Sequence, residues 1–224
     1  MAESRVSLSR ERVLRAAVEI ADGNGIGALT MRRLGEQVGA EAMSLYHHVA
    51  NKEDLLDGVV EVVVREINDA VDVIDLPVTG ADWKKAARQR ILTAREVLLR
   101  HPWAPGVMET RNNSNPEVLR YLNALVGLLH AGGFSYDLIH HALHALGSRA
   151  LGFTQELFDP GDGSVTPAPA ELEQLAGHFP HLAGMLREVT HDADTTLGWC
   201  DDQTEFEFGL DVVLDGLDRL RTTR

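Results

Sequence analysis

LTMRRLGEQVGAEAMSLYHHVANKEDLLDGV, residues 29–59, is the stretch on which the reading of this chain turns. Thr30 is placed to cap a short helix whose inner face carries Met31, Leu34 and Val38, and Gly39 can break that helix. A third short helix spans residues 41–47. Two short helices joined by a tight turn allow one helix to lie in the major groove of DNA, about 12 Å wide, while its neighbour crosses the phosphate backbone. Neither helix is long enough to be stable alone, so the helices before and after must brace them. The outward residues then have chemically sensible roles. Arg32 can reach a guanine edge or a phosphate. Thr30, Ser44, Tyr46, His48 and Lys52 offer donors that fix register on phosphates. Ala42 and Met43 can pack against thymine methyl groups. Taken singly, Leu45 and Tyr46 read equally well as core, and His47 and His48 as a surface pair.

Outward from this stretch, apolar residues recur at helical spacing almost everywhere, which predicts an all-α fold. A first helix runs from a Ser9 cap to residue 24, with Val13, Leu14, Ala17, Ile20 and Ala21 on one face and glycines 23, 25 and 27 at its end. A long helix starts at Asn51 and carries Leu55, Leu56, Val59, Val60, Val63 and Ile67, and a loop containing Pro77 and Gly80 closes it. Ala87, Ile91, Ala94 and Leu98 mark the next helix, which must stop before Pro102. After a short piece at residues 104–110, Pro116 opens a helix striped by Val118, Leu122, Leu125 and Leu129. Further helices are expected at residues 135–156, 171–189 and 203–220, and the Pro/Gly-rich residues 159–169 between the first two read as a loop.

Among the 224 residues are 21 Lys+Arg and 34 Asp+Glu, a net charge of -13, and the sequence pI is near 5.1. At face value that opposes nucleic-acid binding, which needs local positive charge. The charge is uneven, however: residues 1–58 hold 7 Lys+Arg and 9 Asp+Glu, so most of the excess acid lies beyond them. Two domains are therefore expected, at residues 1–58 and 59–224. Cys200 is the only cysteine, which excludes an internal disulfide and suits the reducing cytoplasm, with an intermolecular or reactive thiol as the alternative. The first residues lack a secretory apolar core, and no run of about 18 apolar residues occurs, so a cytoplasmic protein without a membrane span is expected.

The run at residues 29–59, within a match extending from about Arg10 to Gly58, resembles the signature of the tetracycline-repressor (TetR) family. Thr30, Arg32, Leu34, Gly39, Leu45-Tyr46, His48, Asn51-Lys52 and Leu55-Leu56 stand at its spacings. The resemblance implies an N-terminal three-helix helix-turn-helix DNA-binding domain and a larger C-terminal helical domain for ligand binding and dimerisation. It implies backbone contacts by Thr30, Ser44, Tyr46, His48 and Lys52, and base contacts by Arg32, Ala42 and Met43. It implies a homodimer on double-stranded operator DNA of palindromic sequence, released by a small-molecule, lipophilic effector, with no cofactor. Gly35 stands where the family usually has alanine and Ala40 where it often has valine, departures expected to loosen the small domain. FEFGLDVVLDGL, residues 206–217, resembles the last helix of a subgroup near the tetracycline repressor, in which the eighth and tenth helices of two subunits form a four-helix bundle. Gly209 and Gly216 would allow close helix approach there; an ordinary buried helix is the other reading.

Effector contacts are expected among the middle helices, where composition and helix position point to Trp103, Met108, Leu122, Leu125, His144, Arg149 and Phe153. His140 and His144 stand at metal-binding spacing with His141 between them, but no Cys or acidic partner completes a site, so packing or pocket lining is the favoured reading. No nucleophile-base-orienter pattern or phosphate-binding glycine loop argues for an enzyme. An architectural DNA-binding protein without an effector is the remaining alternative, against which the size of the C-terminal part weighs.

Overall fold

The computed structural model describes residues 8–74, 82–111, 115–151, 169–181, 183–184 and 202–222. Among them there is no strand. The helices are α1 (Arg10–Asn24), α2 (Met31–Val38), α3 (Ala42–Leu45), α4 (Lys52–Asp72), α5 (Trp83–Arg100), α6 (Ala104–Glu109), α7 (Pro116–Ala131), α8 (Tyr136–Leu151), α9 (Pro169–His178) and α10 (Asp202–Thr222), with a 3-10 turn at Ile26–Ala28. None of the described helices is long and apolar enough to cross a membrane.

Local chemistry sets the first four helices. Ser9, Thr30 and Asn51 each take extended backbone before a helix, and their side-chain oxygens accept from the backbone N–H groups of Arg12, Arg33 and Asp54, satisfying donors that a helix start leaves free. Gly39 ends α2 at φ 70°, a left-handed geometry that glycine adopts without strain. The third helix is shorter than expected: α3 covers four residues, and the chain continues through His48 as turns in which Val49 N–H still donates to the Leu45 carbonyl at 2.9 Å.

Leu34, Val38 and Leu45 of the small helices and Val49 of the turn after them are buried in one core with Val13, Leu14 and Ala17 of α1 and Leu55 and Val59 of α4. The expectation that Gly35 loosens this domain is overturned. A Cβ at Gly35 would stand 2.7 Å from the Ala40 carbonyl oxygen and 3.2 Å from the Ala42 amide nitrogen. The glycine lets α2 press directly on the backbone of the turn into α3, where a methyl group would force the turn away.

By its contacts the chain separates into one compact unit of residues 1–152 and 214–224 and a second of residues 153–213. In the first, α4 packs against α1, α5, α6 and α7. The expected division at residues 58 and 59 falls inside α4, which runs unbroken for 21 residues. In the second, the described parts are α9, residues 179–181 and 183–184, and the first twelve residues of α10. Of the loop expected at residues 159–169, all but Pro169, which instead opens α9, lies outside the described residues, as do Phe153, Cys200 and the side chain of Arg149.

Candidate functional site

Thr30, Arg32, Met43, Ser44, Tyr46 and Lys52 are exposed together around α2, α3 and the start of α4, while Ala42 and His48 are half-buried. Arg32 presents 89% of its side chain to solvent and lies 3.9 Å from Glu36, a contact too long and too wet to hold it. Met43 is 73% exposed although it is apolar, whereas Leu45, its neighbour in α3, is buried. An exposed, loosely held guanidinium and an uncovered thioether suit a ligand surface that is partly anionic and partly apolar, as a DNA major groove is. Thr30 uses its hydroxyl to cap α2, so its free lone pair and proton remain for an outside partner.

A brace not apparent in the sequence fixes this surface. Arg10, in the first turn of α1, donates to both carboxylate oxygens of Asp54, at 2.8 and 3.1 Å, and to the His48 carbonyl at 2.9 Å. Asp54 also accepts from the Ala50 N–H at 2.7 Å. The Arg10 hydrogen bonds hold the Asp54 carboxyl below the usual aspartate range. Arg12 donates to the Val38 carbonyl at 3.1 Å. The first helix thereby holds the C-terminal end of α2 and the turn that follows α3. No local pattern announces it, since Arg10 and Asp54 stand 44 positions apart in the chain.

The second feature is a cavity of about 400 Å³ within the first unit. Its walls are Val60, Val64 and Ile67 of α4, Ile91, Ala94 and Leu98 of α5, Met108 of α6, Val118, Tyr121, Leu122 and Leu125 of α7, and His140, Leu143, His144, Leu146 and Gly147 of α8, with Arg111 after α6. Four of the expected effector residues, Met108, Leu122, Leu125 and His144, are brought together here. Trp103 is not. It is packed in the core, and its indole N–H donates to Asp22 at 2.7 Å.

Trp103 belongs instead to a polar joint. The buried His101 contacts Asp22 of α1 through Nδ1 at 2.8 Å and Glu66 of α4 through Nε2 at 3.0 Å. Burial pushes the Glu66 carboxyl up, but hydrogen bonds from Arg100 and His101 outweigh it and leave the group below its ordinary range. The expectation of Trp103 as an effector contact rests on composition and helix position, which do not show that its indole N–H, once buried, takes Asp22 as acceptor.

Arg111 and Tyr121 were missed as cavity residues, whereas His140 lines the cavity as its pocket-lining reading expected. Tyr121 falls at helical spacing between Val118 and Leu125, which could have marked it. Burial raises its phenol to about 12, so the hydroxyl stays a donor. The guanidinium of Arg90 lies 5.4 Å over the Tyr121 ring. His140 and His144 stand with ring centroids 4.8 Å apart and nearly perpendicular; among the described residues no three His, Cys, Asp or Glu side chains gather as a metal site.

Residues 13–59 match the profile of bacterial regulatory proteins of the tetR family, and residues 76–221 match that of the tetracyclin repressor-like C-terminal domain. An HTH-type transcriptional regulator of Saccharopolyspora erythraea is 35% identical over 188 residues, covering 79% of this chain and 77% of the relative. The class D tetracycline repressor protein of Escherichia coli is 27% identical over 213 residues, covering 94% of this chain and 89% of the relative. A crystal structure described as that of a possible TetR family transcriptional regulator from Streptomyces coelicolor superposes with a TM-score of 0.72 at 30% identity, covering 96% of this chain and all of that one.

Proposed function

The chain belongs to the TetR family of bacterial transcriptional regulators, and on that premise we propose that it is a repressor whose grip on operator DNA is set by a lipophilic small molecule in the 400 Å³ cavity. One observation carries the reading. The helix α4 begins with Lys52 on the exposed face and, without a break, supplies Val60, Val64 and Ile67 to the cavity wall. At 1.5 Å per residue it spans about 30 Å. A change of its tilt at the cavity end is a displacement at the reading end, and packed helices move between discrete arrangements rather than bending freely.

Thr30, Ser44, Tyr46, His48 and Lys52 hold phosphates; Arg32, Ala42 and Met43 read base edges. The apolar lining of the cavity, with four polar side chains among seventeen, suits an effector with an apolar body and a few hydrogen-bonding groups. Two copies of the chain read successive major grooves about 34 Å or a multiple apart, so the operator is a near-palindrome. The dimer uses α8 and α10.

A nuclease footprint on the DNA upstream of the chain's own gene tests the proposal. Two protected half-sites in dyad relation are expected. Uniform weak protection with no preferred site would replace the repressor by an architectural DNA-binding protein.

A further inference from the structure

This chain carries a net charge of -13, yet none of the residues lining the cavity is acidic. The polar wall groups are Arg111, Tyr121, His140 and His144. Of these Arg111 is the only permanent charge. Its side chain is 17% exposed, and its partners are carboxylates from the first two turns of α4: Glu53, which makes the closest contact, and Asp57, at 3.5 Å. Its Nε donates to Thr110 at 3.4 Å. Glu53 and Asp57 are 66% and 56% exposed.

The asymmetry of this ion pair decides what can break it. A mostly buried guanidinium cannot be left without an anion, because desolvation of an unpaired charge is costly. The two carboxylates lie largely in water already and rehydrate at little cost. A neutral ligand gives Arg111 nothing in exchange for Glu53. An acid does, and bidentate guanidinium–carboxylate pairing gains strength where water is excluded.

We propose that the cavity takes an apolar molecule bearing a carboxylate or comparable oxyanion, which binds Arg111 in place of Glu53 and Asp57 and so uncouples the wall from the first turns of α4. Tyr121 adds a hydroxyl donor, since its phenol remains protonated. Release of Glu53 and Asp57 also leaves two uncompensated negative charges one and five residues from Lys52, on the stretch that faces phosphate. The same exchange that seats the ligand therefore opposes DNA. This inference rests on the cavity being the effector site and adds the chemical class of the effector.

The test uses matched probes, 2-naphthoate against 2-naphthamide and decanoate against decanamide, titrated into the full-length wild-type chain and two variants by calorimetry. Each carboxylate is expected to bind at least about tenfold more tightly than its amide in the wild type. In Arg111→Gln the two members of each pair should bind alike. In Glu53→Gln, which alters an exposed side chain and leaves the fold intact, the carboxylates should tighten several-fold while the amides do not change. Amides that bind the wild type as well as their acids would overturn the inference and leave the cavity as a site for neutral ligands. Unchanged carboxylate affinity in Glu53→Gln would remove Glu53 as the internal competitor. Binding of neither class would overturn both the inference and the cavity reading beneath it.

Discussion

At Lys52 and Arg32 grip on DNA is separable from base reading. Lys52 is an exposed ammonium at the start of α4, and replacing it by alanine is expected to weaken binding to all DNA alike, lowering the salt slope by about 1. Arg32→Ala should in addition relax base preference by about 1–3 kcal/mol, measured as the ratio of operator to mismatched-site affinities. Equal loss of preference in both variants would contradict the division. Asp54 makes a different prediction, about the brace beneath these residues. Its carboxylate is favoured in the folded chain by Arg10, so the brace stabilises fully above the ordinary aspartate pKa of about 3.9 and is lost as pH falls through the depressed folded value. Asp54 is one-third exposed and Arg10 more so, which limits the effect to about 1 kcal/mol. In urea melts between about pH 6 and pH 3, Asp54→Asn should lose less stability than the wild type on acidification; parallel losses would show that the brace does not titrate. These residues were legible to different degrees. The caps at Ser9, Thr30 and Asn51 are local chemistry, so sequence exposed them. The ion pair Arg10–Asp54 spans 44 positions, and only the crossing of α1 and α4 brings it together.

Among the helices, α10 shows where sequence periodicity and surface part company. A stripe of Phe206, Leu210, Val213, Leu217 and Leu220 was legible, but a stripe does not say which neighbour covers it. Phe206, Leu210, Leu214 and Leu217 are buried within the chain, whereas Phe208 and Val212, one turn apart, are 64% and 56% exposed. An arginine at Leu217 would therefore unfold the protomer rather than separate two protomers. Phe208→Arg or Val212→Arg is the sharper variant. Sedimentation should find either one monomeric with an unchanged melting profile of the helices, and a dimer that survives both would place the interface off α10. The helix α4 was legible from its Asn51 cap to Ile67, because its core-facing residues keep one helical period from Leu55 to Val71. The cavity was legible only in part. Leu122, Leu125 and His144 lie on predicted helices and Met108 in the short piece read at residues 104–110, but Arg111 follows α6 outside any helix, and nothing in the spacing ties it to Glu53, 58 positions away.

For the whole molecule the claim is one of linkage: DNA on the reading face and a ligand in the cavity oppose each other because α4 contributes to both. Linkage of this kind must be reciprocal, and coupling free energies are typically about 1–3 kcal/mol, or about 5–150-fold in affinity. A ligand that bound both arrangements equally would shift nothing, however tight its binding. The polar joint of Asp22, His101 and Glu66 makes the same connection from the other side. It ties α1 of the DNA-reading helices to α4 and to the turn that carries Trp103 into α6, so movement of α6 at the cavity reaches α1 as well. The most direct measurement is the dissociation constant of 2-naphthoate for the full-length chain, determined with and without a saturating duplex of the footprinted operator. The account predicts that operator weakens 2-naphthoate by the same factor by which 2-naphthoate weakens operator; a 2-naphthoate affinity that operator leaves unchanged would contradict it.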